Sequence, residues 1–311
     1  MEKMNILVTG GTGMVGSAFK KIKTDHRLIL VGSKDYDLRL QSHAEKMIID
    51  HQPDAIIHLA ARVGGVKGNT DYVADFFHEN ILINTNVLNS AQVNKIPRVV
   101  SLLSTCIYPD KANYPLTPDQ IHLGPPHKSN FGYAYAKRML DVQSRAIRQQ
   151  HGLNYTTVVP NNLYGLNDNF DLENGHVIPA MIRKIWEGKN RRRPVALWGD
   201  GSPLREFTYA SDISKILFLL ATSKDDLSKT INIGNTGEHS IRSIAEKICN
   251  YFHYSPLDIQ WDTSQPAGQF RKPSCNKEFV KMHPDFKYIS LDEGLRQTCD
   301  WFSGNYPNIR L

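Results

Sequence analysis

A glycine-rich segment near the start of the chain constrains the fold more than any other feature. Residues 10–16 read GGTGMVG, follow the aliphatic run NILVT at 5–9, and open a helical pattern. In a strand–loop–helix unit of this kind, Gly10 makes the tight turn, Gly13 lets backbone amides approach a pyrophosphate, and Gly16 lets the helix pack closely on the sheet. Because strand and helix patterns both flank the glycines, the segment predicts a dinucleotide-binding loop rather than a simple turn.

The first half of the chain alternates short aliphatic runs with longer amphipathic stretches. This alternation is typical of an α/β fold with a doubly wound parallel sheet. Runs that resemble buried parallel strands lie at 5–9, 28–32, 54–60, 98–103 and 155–159. Helical patterns lie between them, at about 13–23, 42–51, 71–95 and 132–150.

In the second half of the chain the pattern changes. Residues 161–175 are rich in Asn, Asp and Gly and are expected to form a loop. Further elements are predicted at 176–187 (helix), 195–198 (strand), 211–222 (helix), 230–233 (strand), 240–253 and 290–303 (helices). We therefore predict a Rossmann-type cofactor domain at 1–160, to which 208–235 returns, and a smaller, discontinuous α/β substrate domain formed by 161–207 and 236–311.

Composition excludes several classes of function. The net charge of +6 favours an anionic partner, but the basic residues are dispersed apart from 191–193, and no nucleic-acid motif accompanies them. The four cysteines form no CxxC pair, which argues against a metal site or a disulfide framework. Apolar runs such as 213–220 are too short to cross a membrane. We expect a cytosolic protein with a small anionic substrate.

The end of the second predicted strand bears on the choice of dinucleotide. An acidic residue at this point often holds the ribose 2′-OH of NAD. Here Ser33 and Lys34 come first, and a cation suits the 2′-phosphate of NADP, whereas Asp35 argues for NAD. The sequence favours NADP, with Lys34 as an ordinary surface lysine being the alternative.

A tyrosine and a lysine four residues apart predict the catalytic pair. Tyr133 and Lys137 fall on one face of a predicted helix, whereas Tyr135 faces elsewhere. We expect the ammonium to lower the pKa of the phenol and make it a proton donor to a carbonyl. Ser104, at the end of a predicted strand, is placed to hold the carbonyl oxygen.

The segments GGTGMVG, STC, YAYAK and REFTYASD together resemble the extended short-chain dehydrogenase/reductase family. The stretches HLAARVGG, LSTCIYPD, GPPHKSNFGYAYAKRM, DNFDLENGHVIPA and LWGDGSPLREF narrow the resemblance to members acting on GDP-linked keto sugars. The resemblance covers nearly the whole chain. It implies a homodimer that acts on GDP-4-dehydro-6-deoxy-D-mannose. The enzyme would first epimerise the sugar at C3 and C5 and would then reduce the C4 ketone with NADPH.

The resemblance also implies roles for residues that pattern alone would not single out. Cys106 and His176 match the acid/base pair of the epimerisation, for which side chains that exchange protons near neutral pH are needed. The substrate would contact Val63, Gly64, Lys184, Trp198 and Arg205. The cofactor would contact Gly10, Thr12, Gly13, Met14, Val15, Gly16, Ser33, Lys34, Asp37, Leu38, Leu102, Leu103, Lys137, Pro160, Asn161, Asn162, Leu163 and His176.

The chain departs from the family at one point. A position that is usually acidic in the family carries Ala267 here, and the nearby segment 272–275 also differs. We therefore expect one polar contact to the nucleotide of the substrate to be missing. A 4,6-dehydratase would show an Asp–Glu pair where this chain has Cys106-Ile107, and a 4-epimerase would not use Cys106 and His176. A reductase for a related GDP-dideoxy keto sugar would need much the same residues. A non-catalytic dinucleotide sensor would not require the Tyr–Lys pair.

Overall fold

A computed structural model describes residues 3–173, 175–227, 229–264 and 269–311. The strands are β1 (Asn5–Thr9), β2 (Arg27–Val31), β3 (Ala55–His58), β4 (Arg98–Leu102), β5 (Asn154–Pro160), β6 (Asn162–Tyr164), β7 (Val195–Trp198), β8 (Leu204–Tyr209), β9 (Thr230–Ile233), β10 (Glu238–Ser240) and β11 (Ile259–Asp262). The helices are α1 (Met14–Ala18), α2 (Gln41–His51), α3 (Val66–Asp71), α4 (Val73–Val93), α5 (Phe131–His151), α6 (Val177–Arg191), α7 (Ala210–Thr222), α8 (Ile241–Phe252), α9 (Lys277–Met282) and α10 (Leu291–Asn305).

Six strands form a parallel central sheet in the order β2-β1-β3-β4-β5-β9. Successive residues of a strand point to opposite faces, so a sheet covered on both sides needs continuous apolar strands. In β3, Ile56 packs against the core shared with α2, α4 and α5, and Ile57 packs against the core shared with α1 and α7. The fold is therefore a doubly wound α/β fold.

The second half of the chain adds two small sheets beside the central one. Their orders are β10-β8-β6 and β11-β7. Helices α6, α8 and α10 cover these strands, and their buried residues form a separate core around Ile182, Phe207 and Phe302. This second body borders the carboxyl ends of the central strands, where doubly wound folds place their ligands.

The strands of the central sheet lie where the sequence predicts them, with small shifts at their ends. The predicted helix at 71–95 corresponds to α4, and the short helix α3 that precedes it was missed. The predicted loop at 161–175 contains β6, whose three residues have no apolar alternation and are held by parallel pairing with β8. Strands β8, β10 and β11 were also missed, because such short strands are specified by their partners.

None of the helices in the described ranges has the length and apolarity that a membrane crossing requires.

Candidate active site

A cavity of about 800 Å³ opens at the carboxyl ends of β1, β4 and β5. It is as large as cavities that hold cofactors and drug-sized ligands. The predicted site residues that line it are Gly10, Thr12, Gly13, Met14, Val15, Gly16, Ser33, Asp37, Leu38, Val63, Gly64, Leu102, Leu103, Ser104, Tyr133, Pro160, Asn161, Asn162, Leu163 and His176. The residues Lys34, Cys106, Lys137, Lys184, Trp198 and Arg205 do not line it.

The geometry of the glycine loop fits a dinucleotide. Gly10 has φ of +69°, a conformation that side chains disfavour. A Cβ on Gly16 would lie 2.2 Å from the Gly10 carbonyl oxygen, so only glycine lets α1 begin this close to β1. A Cβ on Gly13 would have one atom within 4 Å, at 3.3 Å, which leaves the backbone open to a ligand in the cavity. The loop therefore packs closely against β1 and α1 on one side and leaves its backbone accessible from the cavity on the other, as the binding of a pyrophosphate requires.

Helix α5 brings Tyr133 and Lys137 together as the sequence predicts. The Lys137 ammonium lies 6.0 Å from the centre of the Tyr133 ring and donates a hydrogen bond of 2.9 Å to the Leu102 carbonyl at the end of β4. The ring of Tyr133 faces the cavity and packs edge-on against Phe76. Tyr135 turns away and lies under the guanidinium of Arg138.

The expectation that Lys137 lowers the pKa of Tyr133 is wrong for this structure. Burial raises the pKa of Tyr133, and the nearby Cys106 acts in the same direction whenever its thiol is deprotonated. Burial also lowers the pKa of Lys137 to about 8, which weakens its ability to stabilise a phenolate. The cost of placing a charge in the protein interior exceeds the attraction between the two groups. Tyr133 is thus a protonated phenol at neutral pH, which is the form that donates a proton.

Ser104 and Cys106 occupy one short turn after β4. Ser104 is the N-cap of a 3₁₀ turn at Thr105–Ile107, and its Oγ accepts a hydrogen bond of 3.4 Å from the Cys106 amide. The Cys106 side chain is buried, just behind the cavity wall. Burial raises the pKa of Cys106, while a hydrogen bond from Ser104 and the charges of Lys272 and Lys137 oppose this rise. The thiol is within the electrostatic reach of the Tyr–Lys pair.

His176 is the N-cap residue of α6 and lines the cavity. The residue is exposed on the cavity side, and the partial loss of water around its ring lowers its pKa, with the Arg310 charge adding to this effect. Its imidazole is therefore neutral at neutral pH and able to accept a proton. Cys106 as a thiol and His176 as a free base form an acid and a base in their resting states.

Lys184, Trp198 and Arg205, which the resemblance predicts to contact the substrate, lie in the smaller body, outside the cavity lining. The Lys184 ammonium is 5.8 Å from the Trp198 ring and donates a hydrogen bond of 3.1 Å to the Ala196 carbonyl. Arg205 lies on β8, where its guanidinium donates to the Leu204 carbonyl at 2.8 Å. Ala267 lies outside the described residues.

Sequence reasoning missed several charged residues of the cavity, namely Arg39, Arg62, Asp168 and Arg310. Arg62 and Asp168 lie within the quoted stretches HLAARVGG and DNFDLENGHVIPA but were given no role, and no motif marks Arg39 or Arg310. Each of the four reaches the cavity from a loop or from the end of the chain. Asp168 is 3% exposed, and its Oδ2 has no hydrogen-bond partner among the described residues. The described residues also contain no group of three His, Cys, Asp or Glu side chains arranged to hold a metal ion.

The model of the NAD dependent epimerase/dehydratase family matches residues 6–234. The chain belongs to this family. It is 38% identical to the GDP-L-fucose synthase of Dictyostelium discoideum over 99% of this chain and 98% of that protein, and 34% identical to the GDP-L-colitose synthase of Yersinia pseudotuberculosis over 98% and 100%. A crystal structure of a GDP-L-fucose synthetase from Naegleria fowleri, bound to NADP, superimposes with a TM-score of 0.91 at 34% identity, covering 100% of this chain and 96% of that chain.

Asp168 gives a prediction for the pH dependence of stability. Burial raises the pKa of its carboxyl to about 7, so between about pH 4 and pH 7 the folded protein binds a proton that the unfolded chain releases. The free energy of unfolding therefore falls as the pH rises through this interval. We expect Asp168→Asn to be more stable than the natural protein by about 2 to 4 kcal/mol at pH 8 but not below about pH 4.

Urea unfolding at the two pH values measures this difference. The control is Asp285→Asn, which removes an exposed carboxyl. Equal stability of Asp168→Asn and the natural protein at pH 8 would show that the carboxyl is not held in its protonated form.

Proposed function

We propose that this protein converts GDP-4-dehydro-6-deoxy-D-mannose to GDP-L-fucose, with NADPH as the reductant. The observation that carries the proposal is that the glycine loop, Ser104, Tyr133 and His176 line one cavity, with Cys106 directly behind Ser104. The cavity and the residues next to its wall thus bring together groups for proton transfer at carbon and for reduction of a ketone. The similarity to GDP-L-fucose synthases over the full chain supports the same activity.

Inversion at C3 and C5 of the sugar comes first. The ketone at C4 acidifies the protons on both neighbouring carbons, because removal of either gives an enolate. His176 as a neutral imidazole removes a proton from one face, and the Cys106 thiol returns one to the other face; the roles reverse when the thiolate acts as the base. Ser104 donates a hydrogen bond to the enolate oxygen and stabilises its charge.

Reduction at C4 follows in the same cavity, with Tyr133 and Lys137 as the acting residues. NADPH, when bound along the glycine loop, supplies the hydride. The Tyr133 phenol gives its proton to the C4 oxygen as the C–O double bond becomes a single bond. Its raised pKa keeps the phenol protonated at neutral pH, and transfer to the C4 oxygen is favourable because an alkoxide is a stronger base than the phenolate that remains. Lys137 holds its ammonium between the phenol and the end of β4, where it stabilises the phenolate left behind.

The GDP group is proposed to lie against the smaller body. Lys184 and Arg205 supply cations for the diphosphate, and the exposed face of Trp198 offers a flat apolar surface for the base. Val63 and Gly64 border the sugar from the loop after β3.

The Tyr133 hydroxyl is the first target for a test. Mixing the protein with NADPH and GDP-4-dehydro-6-deoxy-D-mannose should consume NADPH and yield GDP-L-fucose. The substitution Tyr133→Phe should lower the rate of NADPH oxidation by about 10²- to 10⁴-fold, because the proton donor to the C4 oxygen is lost. Absorbance of the reduced nicotinamide and chromatography of the product measure both results. Tyr135→Phe, on the same helix but turned away, is the matched control. A product reduced at C4 without inversion, or a preference for a GDP-dideoxy keto sugar, would contradict the proposal.

Cys106 provides a test that separates epimerisation from reduction. Because a serine hydroxyl is a much weaker acid than a thiol, Cys106→Ser should lose the exchange of the C3 and C5 protons with solvent. Its affinity for NADPH should stay close to that of the natural protein. Deuterium incorporation from D₂O, followed by mass spectrometry, measures the exchange, with Cys275→Ser as the control. Normal exchange in Cys106→Ser would remove this residue from the mechanism.

We also propose a cytosolic homodimer. The four cysteines are free, as expected in a reducing compartment.

Helices α4 and α5 leave the large apolar side chains of Phe77, Met139 and Val142 exposed, and such side chains often mark an interface. Sedimentation equilibrium should give twice the monomer mass, and Val142→Lys should shift the mass toward the monomer. A monomeric natural protein would contradict this.

A further inference from the structure

The cavity contains a cation that the sequence patterns did not identify. Arg39 lies in the loop between β2 and α2, on the cavity wall that Ser33, Asp37 and Leu38 also line. This is the edge of the sheet at which dinucleotide-binding folds hold the ribose of the adenosine. The predicted cation, Lys34, is exposed and does not line the cavity.

Asp35 is also not placed to hold a ribose. Its carboxylate accepts a hydrogen bond of 2.7 Å from the amide of Gly32 and closes the turn after β2. The argument for NAD based on Asp35 therefore loses its support, because this carboxylate has a structural partner.

Arg39 is held in one orientation by Asp37. Its Nε and Nη2 atoms donate to the two carboxylate oxygens of Asp37 at 2.9 and 2.8 Å, and its amide donates to the same carboxylate at 3.1 Å. This bidentate contact uses one edge of the guanidinium, and the Nη1–Nη2 edge remains for a second partner. A preorganised guanidinium loses less conformational entropy on binding an anion than a flexible lysine does.

Acidic side chains lie near the Arg39 guanidinium and would compete with an anion for it. The Arg39 Nη1 atom is 3.7 Å from a Glu79 oxygen, but Glu79 has a closer partner in Arg62, at 2.5 Å. Arg62 also lies 3.6 Å from an Asp75 oxygen, so its charge is shared by two carboxylates. Asp37 is already neutralised by Arg39, and the hydrogen bond from Arg39 lowers the pKa of this carboxyl. The contact with Glu79 is thus the weakest in the cluster, and an incoming phosphate can replace it.

We infer that Arg39, oriented by Asp37, binds the 2′-phosphate of the cofactor and is the residue that makes this chain prefer NADPH over NADH. The inference rests on the proposed use of NADPH. Asp37 acts as a positioning residue for the guanidinium. Lys34 contributes only through the general positive field of the surface.

Binding of cofactor fragments tests the inference without the enzymatic reaction. The probes are 2′,5′-ADP, which carries the 2′-phosphate, and 5′-AMP, which lacks it, each titrated by calorimetry. The natural protein should bind 2′,5′-ADP more tightly than 5′-AMP. Arg39→Met should weaken 2′,5′-ADP by about 10- to 100-fold, as expected for the loss of a charge-assisted bidentate contact, and leave 5′-AMP nearly unchanged.

Two variants complete the design. Lys34→Met removes a neighbouring cation of similar size and should retain the preference for 2′,5′-ADP. Arg39→Lys keeps the charge without the planar fork and should lose only part of the preference. Unchanged binding of 5′-AMP shows that the adenosine site of each variant is folded.

The outcomes separate this inference from the proposed function. If Arg39→Met keeps the full preference for 2′,5′-ADP, or Lys34→Met loses it, Arg39 is not the phosphate ligand, even when NADPH is consumed normally in the assay with the GDP-sugar. If the natural protein does not distinguish the two fragments, the inference fails. A preference that depends on Arg39 in a protein inactive on the GDP-sugar would uphold Arg39 and reject only the substrate.

Discussion

The hydrogen bond from the Lys137 ammonium to the Leu102 carbonyl ties helix α5 to the carboxyl end of β4. Tyr133 lies one helical turn before Lys137, and Ser104 and Cys106 follow Leu102 within four residues. This contact therefore helps to fix the distance between the phenol on the helix and the hydroxyl and thiol after the strand. Any sliding of α5 along the sheet would separate the two halves of the site.

A buried polar network fixes α4 and α5 against the strands beneath the site. The His58 ring bonds to Thr9 Oγ1 on β1 and to Asn84 Oδ1 on α4, at 2.8 and 3.1 Å. Asn84 in turn donates to the carbonyl of Ala136, the residue before Lys137. Burial lowers the pKa of His58 to about 3, so the ring stays neutral and adds no charge beside Lys137. The network connects β1, which leads into the glycine loop, to α5, which carries Tyr133 and Lys137.

Burial decides the protonation states of the site more than pairwise attraction does. It keeps Tyr133 and Cys106 in their neutral forms and favours the neutral form of His176. A site of neutral acids and a neutral base suits chemistry in which protons move to and from carbon and oxygen while a hydride is delivered. Charge is then created only in the reacting groups, where dipoles and the Lys137 ammonium stabilise it.

The sequence by itself determined the elements whose signals are local. The glycine loop, the apolar strands of the central sheet and the four-residue spacing of Tyr133 and Lys137 all reflect contacts between near neighbours in the chain. The placement of Ser104 at a sheet edge follows from the same strand pattern.

The tertiary structure alone decided the properties that depend on distant residues. Segments that are far apart in the chain have to meet before β6 can pair with β8 and before the pKa of Tyr133 can be raised by burial. The same is true of the burial of the Asp168 carboxyl and of the position of Arg39, rather than Lys34, on the cavity wall. Desolvation and side-chain direction are set by the whole surrounding volume, and a one-dimensional pattern does not contain that information.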